Sequence, residues 1–270
     1  MNRSWLFAPG HNVTLLRKVF DAGADAVMLD LEDAVPPDFK ATARTLVADA
    51  LAGREAWVRV NAVRTDACDA DLVAVVGRAA GIRIPKVESA EDVAWVAERA
   101  PGTPLICAIE SARGVLAARE IATAPGVRHL SMGGVDLRRD LNAGDGDLPM
   151  LYARSQIVAA SVAAGLAPPI DSVYANVADT DGLRAQAEHA RSLGFAGKSA
   201  IHPRQIPVLH EVFTPDDDEV AWARAVIDAF TAAGGQPLRL EGGEFVDAPV
   251  ADRARRVLAL AAASDPDRSR

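Results

Sequence analysis

The sequence predicts a (β/α)8 barrel with a C-terminal extension, and three observations carry that expectation. Eight short apolar runs recur along the chain, amphipathic helical stretches lie between them, and most runs begin two or three dozen residues apart. Strands that alternate with helices imply right-handed βαβ units and a parallel sheet. With 270 residues, half of them hydrophobic, the chain can bury one large core. The rival fold is an open doubly wound sheet. Its first βα turn ordinarily carries a Gly-rich phosphate loop, and "FAPGHN" is not one.

The runs are Trp5–Ala8, Ala26–Leu31, Trp57–Val60, Ile82–Ile84, Leu105–Ile109, Val127–Met132, Ile170–Val173 and Phe195–Ala200. Helical faces follow them. Leu15, Leu16, Val19 and Phe20 share one face, and residues 38–51, 68–78, 89–99, 112–122, 150–164 and 179–192 show the same period. After Met132 the pattern breaks: "LRRDLNAGDGDLP" reads as a polar, Gly-rich loop that covers a site. Residues 1–213 are expected to be the barrel and residues 214–270 a C-terminal extension and lid segment. In the extension Thr214 and Pro215 read as N-cap and first helical residue. A Gly-rich hinge spans Ala232–Val250, and a last helix covers 251–262 before "SDPDRSR", which is expected to fray.

Composition narrows the function classes. A net charge of −8 carries no nucleic-acid footprint. No apolar stretch approaches a membrane span, and the short run at Trp5–Ala8 behind Arg3 does not make a secretory leader. Cys68 and Cys107 form no spaced cluster, so a reducing cytoplasmic setting is expected. Of 29 basic residues only Lys18, Lys40, Lys86 and Lys198 are lysine.

In a barrel, chemistry sits at the C-terminal ends of the strands. The second run ends in Asp30, Glu32 and Asp33, three carboxylates that would repel unless cations share their ring. The third offers Arg59 and Asn61, the fourth Lys86 and Glu88, the fifth Glu110, the sixth Asp136, the seventh Asp171, and the eighth Lys198 followed by His202. Glu110 and Asp136 lie one βα unit apart, a spacing that suits a hard divalent ion such as Mg2+. Spacing alone reads more simply as ion pairing to Arg59, Lys86 or Arg113. Arg59 suits a bidentate grip on a substrate carboxylate, or a structural pair with Asp30 or Glu32. Lys86 and Lys198 would be the candidates in a Schiff-base aldolase.

Nine segments in order, among them "GADAVMLDLEDAV", "WVRVN", "IPKVESAEDV", "AIESARG", "GGVDL" and "GFAGKSAIHPRQI", resemble the citrate lyase β-subunit-like branch of the HpcH/HpaI aldolase superfamily, whose fold is a (β/α)8 barrel. The resemblance implies that Glu110 and Asp136 bind Mg2+, with Asp30, Glu32 and Asp33 supporting the metal waters, and that Arg59 holds substrate carboxylate. It implies further that Phe7, Lys18, Ile201 and His202 border coenzyme A, with Thr14 where relatives carry a second basic residue. "GGEFVDAPV" matches an element whose Asp, here Asp247, acts as acid/base in a neighbouring subunit's site, so a homo-oligomer, a trimer or a multiple of one, is implied. The implied reaction is Mg2+-dependent cleavage or formation of a C–C bond in a β-hydroxyacyl-CoA of malyl, citramalyl or citryl type, yielding acetyl-CoA or a related acyl-CoA plus a 2-oxo acid. An acyl-CoA thioesterase, a CoA-independent 2-oxo-acid aldolase and a non-catalytic barrel subunit stay open beside it. The alternative for Asp247 is an aspartate that simply caps the final helix just before Pro249.

Overall fold

The computed structural model describes residues 2–263, so "SDPDRSR" lies outside the described residues. The chain divides into two compact units, residues 2–210 and a unit that begins at Glu211.

The first unit is a closed, all-parallel barrel in sequential order: β1 (Ser4–Pro9), β2 (Ala26–Asp30), β3 (Trp57–Arg59), β4 (Gly81–Ile84), β5 (Leu105–Ile109), β6 (Val127–Met132), β7 (Ile170–Asp171) and β8 (Gly197–Ala200), with β8 pairing back onto β1. The helices between and after them are α1 (Val13–Lys18), α2 (Lys40–Ala50), α3 (Asp66–Val75), α4 (Ala90–Arg99), α5 (Ala112–Leu116), α6 (Ala118–Ala122), α7 (Gly134–Asp140), α8 (Leu151–Ala163), α9 (Thr180–Leu193) and α10 (Ile206–Phe213). All eight apolar runs are strands, because strands buried on both faces have no polar side to show.

Alternation along each strand sends every second side chain inward. Trp5, Ala26, Met28, Ile106 and Ile170 pack there with Phe7 and Trp57. Trp5 and Trp57 meet edge to face with ring centroids 5.6 Å apart. Gly81 pairs in register with Trp57, and a Cβ on Gly81 would stand 2.2 Å from the indole, so glycine is required for that ring to fit. This aromatic layer closes the barrel from within.

Two expectations for the barrel unit are corrected. The stretch after Met132 is not all loop: Gly134–Asp140 is α7, anchored by buried Leu137. Arg138 at its end donates to the carbonyls of Gly144 and Gly146 and so gathers the remaining loop. The helix expected over 112–122 is interrupted at Ala117, which separates α5 from α6.

The second unit holds α11 (Asp217–Ala232), a two-stranded antiparallel ribbon of β9 (Leu238–Arg239) and β10 (Phe245–Val246), and α12 (Ala248–Ala263). Val226, Phe230, Val246, Ala251 and Ala254 form its core. The N-cap of α11 is Asp216 rather than Thr214. Asp216 accepts from the Glu219 amide at 2.7 Å while Glu219 accepts from the Asp216 amide at 3.0 Å, a reciprocal capping box.

Candidate active site

The parallel register lines polar residues up at one end of the barrel. Pro9 pairs with Asp30, Asp30 with Arg59, and Arg59 with Arg83. A cleft of about 350 Å3 opens there, lined by Phe7, Asp30, Asp33, Arg59, Arg83, Glu110, Asp136, Ser199 and Ile201 among others.

The acidic turn after β2 is held by cations on every side. Arg59 forks onto Asp30, with Nε 2.7 Å from Oδ1 and Nη2 2.6 Å from Oδ2. Asp30 also accepts from the Glu32 and Ala34 amides at 2.9 and 3.1 Å. Burial alone would raise the Asp30 carboxyl, but the Arg59 hydrogen bonds and charge outweigh it and hold it below the usual carboxylate range. Glu32 bonds Lys86 Nζ at 2.5 Å, and its Oε2 lies 3.0 Å from Arg59 Nη1, near enough for charge but off the N–H direction. Burial is the largest influence on Glu32 and leaves its carboxyl raised. Asp33, more exposed, sits 3.3 Å from Lys86. Lys86 adopts φ +51°, a left-handed conformation that a side-chain-bearing residue rarely takes, and these two carboxylates secure it. Beneath them Lys40 Nζ donates to the Leu31 and Glu32 carbonyls and to Asn61, at 2.6, 2.7 and 2.7 Å.

Glu110 follows β5 and points into the same cleft, buried to 5 % exposure. Its Oε2 accepts no hydrogen bond, and among the described residues no basic nitrogen lies within 4.0 Å of it. The ion pairs that spacing allowed with Arg59, Lys86 or Arg113 are therefore not formed; Arg113 lies 3.7 Å from Glu88 instead. Burial raises the Glu110 carboxyl, opposed chiefly by the nearby Arg83 charge. Gly133 makes room for Glu110: a Cβ there would stand 2.2 Å from Cγ. Asp136, at the start of α7, lines the cleft and pairs with Arg139 at 2.7 Å.

Among the described residues no group of three or more His, Cys, Asp or Glu is arranged to hold a metal. This does not conflict with Mg2+, which keeps several waters and takes one or two carboxylates. A buried carboxylate oxygen without a partner, beside a second carboxylate on one cleft, fits such an ion.

Of the other residues singled out in the sequence, Phe7 and Ile201 line the cleft. Lys18 is exposed in the last turn of α1 and is not among the lining residues. His202 also stands off the cleft lining. Its Nδ1 accepts from the Arg204 amide at 3.1 Å and caps the turn before α10. Asp247 is in the second unit, where Oδ1 accepts from the Val250 amide at 3.2 Å at the start of α12. Lys198 is fully buried on the side of β8 away from the cleft, bonded to Asp171 and Gln186 at 2.6 Å each. A Schiff-base lysine must meet its carbonyl in the cleft, and this one does not.

Sequence reasoning missed Arg83 and Lys40. Arg83 is buried at the floor of the cleft, its Nε without an acceptor, and burial draws its guanidinium down to about 10 against the opposing pull of Glu110. The available signal was register: "WVR" and "GIR" place Trp57 with Gly81 and Arg59 with Arg83, so both arginines share the inward face.

Residues 3–203 match the family model described as HpcH/HpaI aldolase/citrate lyase. The citrate lyase subunit beta of Escherichia coli strain K12 is 39 % identical, over 96 % of this chain and 93 % of its own. A (3S)-malyl-CoA thioesterase of Cereibacter sphaeroides is 38 % identical, over 97 % of this chain and 95 % of its own. The crystal structure of CitE from Mycobacterium tuberculosis, in complex with magnesium, acetoacetate and coenzyme A, superposes with a TM-score of 0.83 at 33 % identity, over 97 % of this chain and 98 % of the other. On sequence over most of its length and on fold, this chain belongs to the HpcH/HpaI aldolase/citrate lyase family.

Proposed function

We propose that this protein is a Mg2+-dependent C–C lyase that cleaves or forms a β-hydroxyacyl-CoA of malyl, citramalyl or citryl type, with acetyl-CoA or a related acyl-CoA and a 2-oxo acid on the other side of the reaction. The observation that carries the reading is Glu110: a buried carboxylate with an unpartnered oxygen, facing Asp136 across one cleft. Isolated buried charge is costly, so the site is built for a cation.

Glu110 and Asp136 hold the Mg2+. When bound, the ion supplies Lewis-acid polarisation of the substrate's oxygens and a template for them. Asp30, Glu32 and Asp33, kept in place by Arg59, Lys86 and Lys40, would support the waters that such an ion keeps. Arg59 borders the 2-oxo-acid carboxylate while it orders Asp30. Phe7 and Ile201 give the acyl chain apolar walls, and Lys18 and His202 stand for the coenzyme's polar parts. In the cleavage direction the hydroxyl gives up its proton, the C–C bond electrons pass to the thioester α-carbon, and that carbon is protonated. Asp247 from a neighbouring copy in a homotrimer, or a multiple of one, is the proposed acid/base. Two buried thiols, Cys68 and Cys107, suit a reducing cytoplasmic setting, and among the described residues no helix is long and apolar enough to cross a membrane.

Thioester hydrolysis is the second reading, favoured by the 38 % identity to a malyl-CoA thioesterase. One experiment separates the two. Malyl-, citramalyl- and citryl-CoA are incubated with the protein in Mg2+ or in EDTA, and products are read by mass spectrometry. Acyl-CoA plus 2-oxo acid supports the lyase, and free CoA plus hydroxy acid supports the thioesterase. No turnover, together with no calorimetric binding of 2-oxo acids, would leave a non-catalytic barrel. Mixing Asp247→Ala with Glu110→Gln under conditions of subunit exchange tests the shared site: two inactive parents are expected to give active mixed oligomers.

A further inference from the structure

We infer that Arg83 is a second carboxylate-docking residue on the floor of the cleft and that it makes the site selective for a 2-oxo dicarboxylate over a 2-oxo monocarboxylate; this rests on the reading of the cleft as a 2-oxo-acid site. The two arginines of the cleft are differently committed. Arg59 has its Nε and Nη2 on Asp30 and its Nη1 beside Glu32. Arg83, its register partner, has no carboxylate within 4.0 Å among the described residues. The Arg83 Nε is buried and bonds to nothing, and Nη1 has only a long 3.5 Å contact to the Ser199 hydroxyl.

A guanidinium is a planar fork of five N–H donors and accepts nothing, and no protein acceptor reaches the Arg83 Nε, so this fork is free to meet an acceptor carried by a ligand in the cleft. The surroundings make that acceptor an anion. Phe7 stacks near both guanidiniums, its ring centroid 5.2 Å from Arg59 and 5.3 Å from Arg83, and offers no acceptor of its own beyond a π face. One layer lower the barrel is sealed by Trp5 and Trp57. A carboxylate on Arg83 would therefore meet a charge-assisted fork on an apolar floor, screened from water on the protein side. Charge balance points the same way. Arg59 and Lys86 are used by Asp30, Glu32 and Asp33, and Asp136 already has Arg139. Glu110 and Arg83 lie near enough to feel each other's charge but form no ion pair, so each keeps hydrogen-bonding capacity for a ligand. A 2-oxo dicarboxylate carries a group for each: its 2-oxo-acid end for the Glu110–Asp136 side and its distal carboxylate for Arg83.

The test is calorimetric titration in saturating Mg2+ with oxaloacetate, with 2-oxosuccinamate, whose distal carboxylate is replaced by a neutral amide, and with pyruvate. On the unaltered protein, oxaloacetate is expected to bind on the order of 10- to 100-fold more tightly than the other two. Arg83→Met and Arg83→Lys are expected to remove most of that margin by weakening oxaloacetate alone. Equal loss for all three acids in both variants would make Arg83 a structural counter-charge to Glu110 and overturn the inference. So would an unaltered protein that does not discriminate among the three, a result that needs no variant to fold. If the unaltered protein binds none of them, the functional reading falls first and this inference with it. Binding of all three with no change in the variants overturns the role of Arg83 alone.

Discussion

One aspartate immediately precedes strand β2 and another ends it, and each meets an arginine fork. At the base, Asp25 receives Arg3 through Nε at 2.8 Å and Nη2 at 2.9 Å, accepts the Arg3 amide at 2.7 Å, and lies 3.2 Å from His210. At the mouth, Asp30 receives Arg59 through Nε at 2.7 Å and Nη2 at 2.6 Å. The chemistry of the two pairs is the same, but their neighbourhoods are not. The base cluster is closed: Ser4 Oγ accepts the Asp25 amide and reaches His210 Nε2 at 2.8 Å. The mouth cluster is open, with unsatisfied buried atoms on Glu32, Arg83 and Glu110 and a left-handed residue at Lys86. Unmet hydrogen bonds and strained backbone cost stability, and around β2 they gather at the end of the barrel where ligands bind and not at its base. A salt bridge therefore says little about role until its neighbours are examined.

The largest expected effect breaks this comparison at the mouth. Glu110→Gln removes the buried charge that a metal would meet, so turnover should fall on the order of a thousandfold and Mg2+ affinity with it. Without metal, the same variant should be as stable as the parent or about 1–2 kcal/mol more stable, because the burial cost of the Glu110 carboxylate, which the unbonded Arg83 charge offsets only in part, is gone. Denaturant unfolding in EDTA beside a Mg2+ titration checks both halves. Unchanged turnover, or a loss of stability in EDTA, would remove the assignment. Arg59→Lys should have the next largest effect. It keeps the charge but loses the fork on Asp30, and about a tenfold to hundredfold weaker 2-oxo-acid binding is expected together with about 2 kcal/mol of lost stability. Lost stability with binding intact would mark Arg59 as purely structural.

The same contrast explains what the sequence could and could not tell. All eight strands were legible because two-sided burial writes continuous apolar runs. Glu110 and Asp136 were legible because each follows such a run, and Asp30 and Arg59 because each is the charged residue next to the last position of its run, where a barrel keeps its chemistry. Arg83 was not, since one arginine inside "GIRI" looks like the solvent side of a strand until the register with Arg59 is known. Lys40 was hidden for a similar reason: its target is a pair of main-chain carbonyls and Asn61, which no residue pattern announces. Helix α7 was masked by the glycines and aspartates around it, although buried Leu137 holds it in place. The cap of α11 went to Asp216 over Thr214 because only Asp216 has a glutamate at the position that closes the box.

At the base, Asp25→Asn should do the reverse of Glu110→Gln: about 2 kcal/mol of stability lost with turnover kept. Burial raises the Asp25 carboxyl, yet the Arg3 and His210 contacts outweigh it and hold the group well below its usual range. A depressed folded-state value means that this contribution is complete above the unfolded carboxyl's range near 4 and is lost as pH falls below it. The parent should therefore lose its advantage over Asp25→Asn between about pH 4 and the acid limit of the folded state, and the two should converge there. Urea midpoints measured from pH 6 downward test this. A constant gap across that range would mean the contacts matter by packing rather than by charge.

The smallest expected effect lies at Lys86, where stability and function oppose each other within one residue. Glycine takes a φ of +51° without strain, so Lys86→Gly relieves about 1 kcal/mol of backbone cost. It also removes the ammonium from Glu32 and Asp33. The lysine side chain is 39 % exposed, which holds the worth of those pairs to at most about 1 kcal/mol. The two terms nearly cancel, and the unfolding free energy should move by less than about 1 kcal/mol. The site should respond more. With Lys86 gone, Glu32 keeps only Arg59 Nη1, at 3.0 Å and off the N–H direction, so its carboxyl rises further and the ordered acidic turn loosens. Mg2+-dependent binding of 2-oxo acids is expected to weaken several-fold, and Lys86→Arg, which keeps the charge and the strain, should restore most of it. Binding and stability both unchanged in Lys86→Gly would mean that the strained residue is incidental to the mouth, and the contrast between the two ends of β2 would then rest on Glu110 and Arg83 alone.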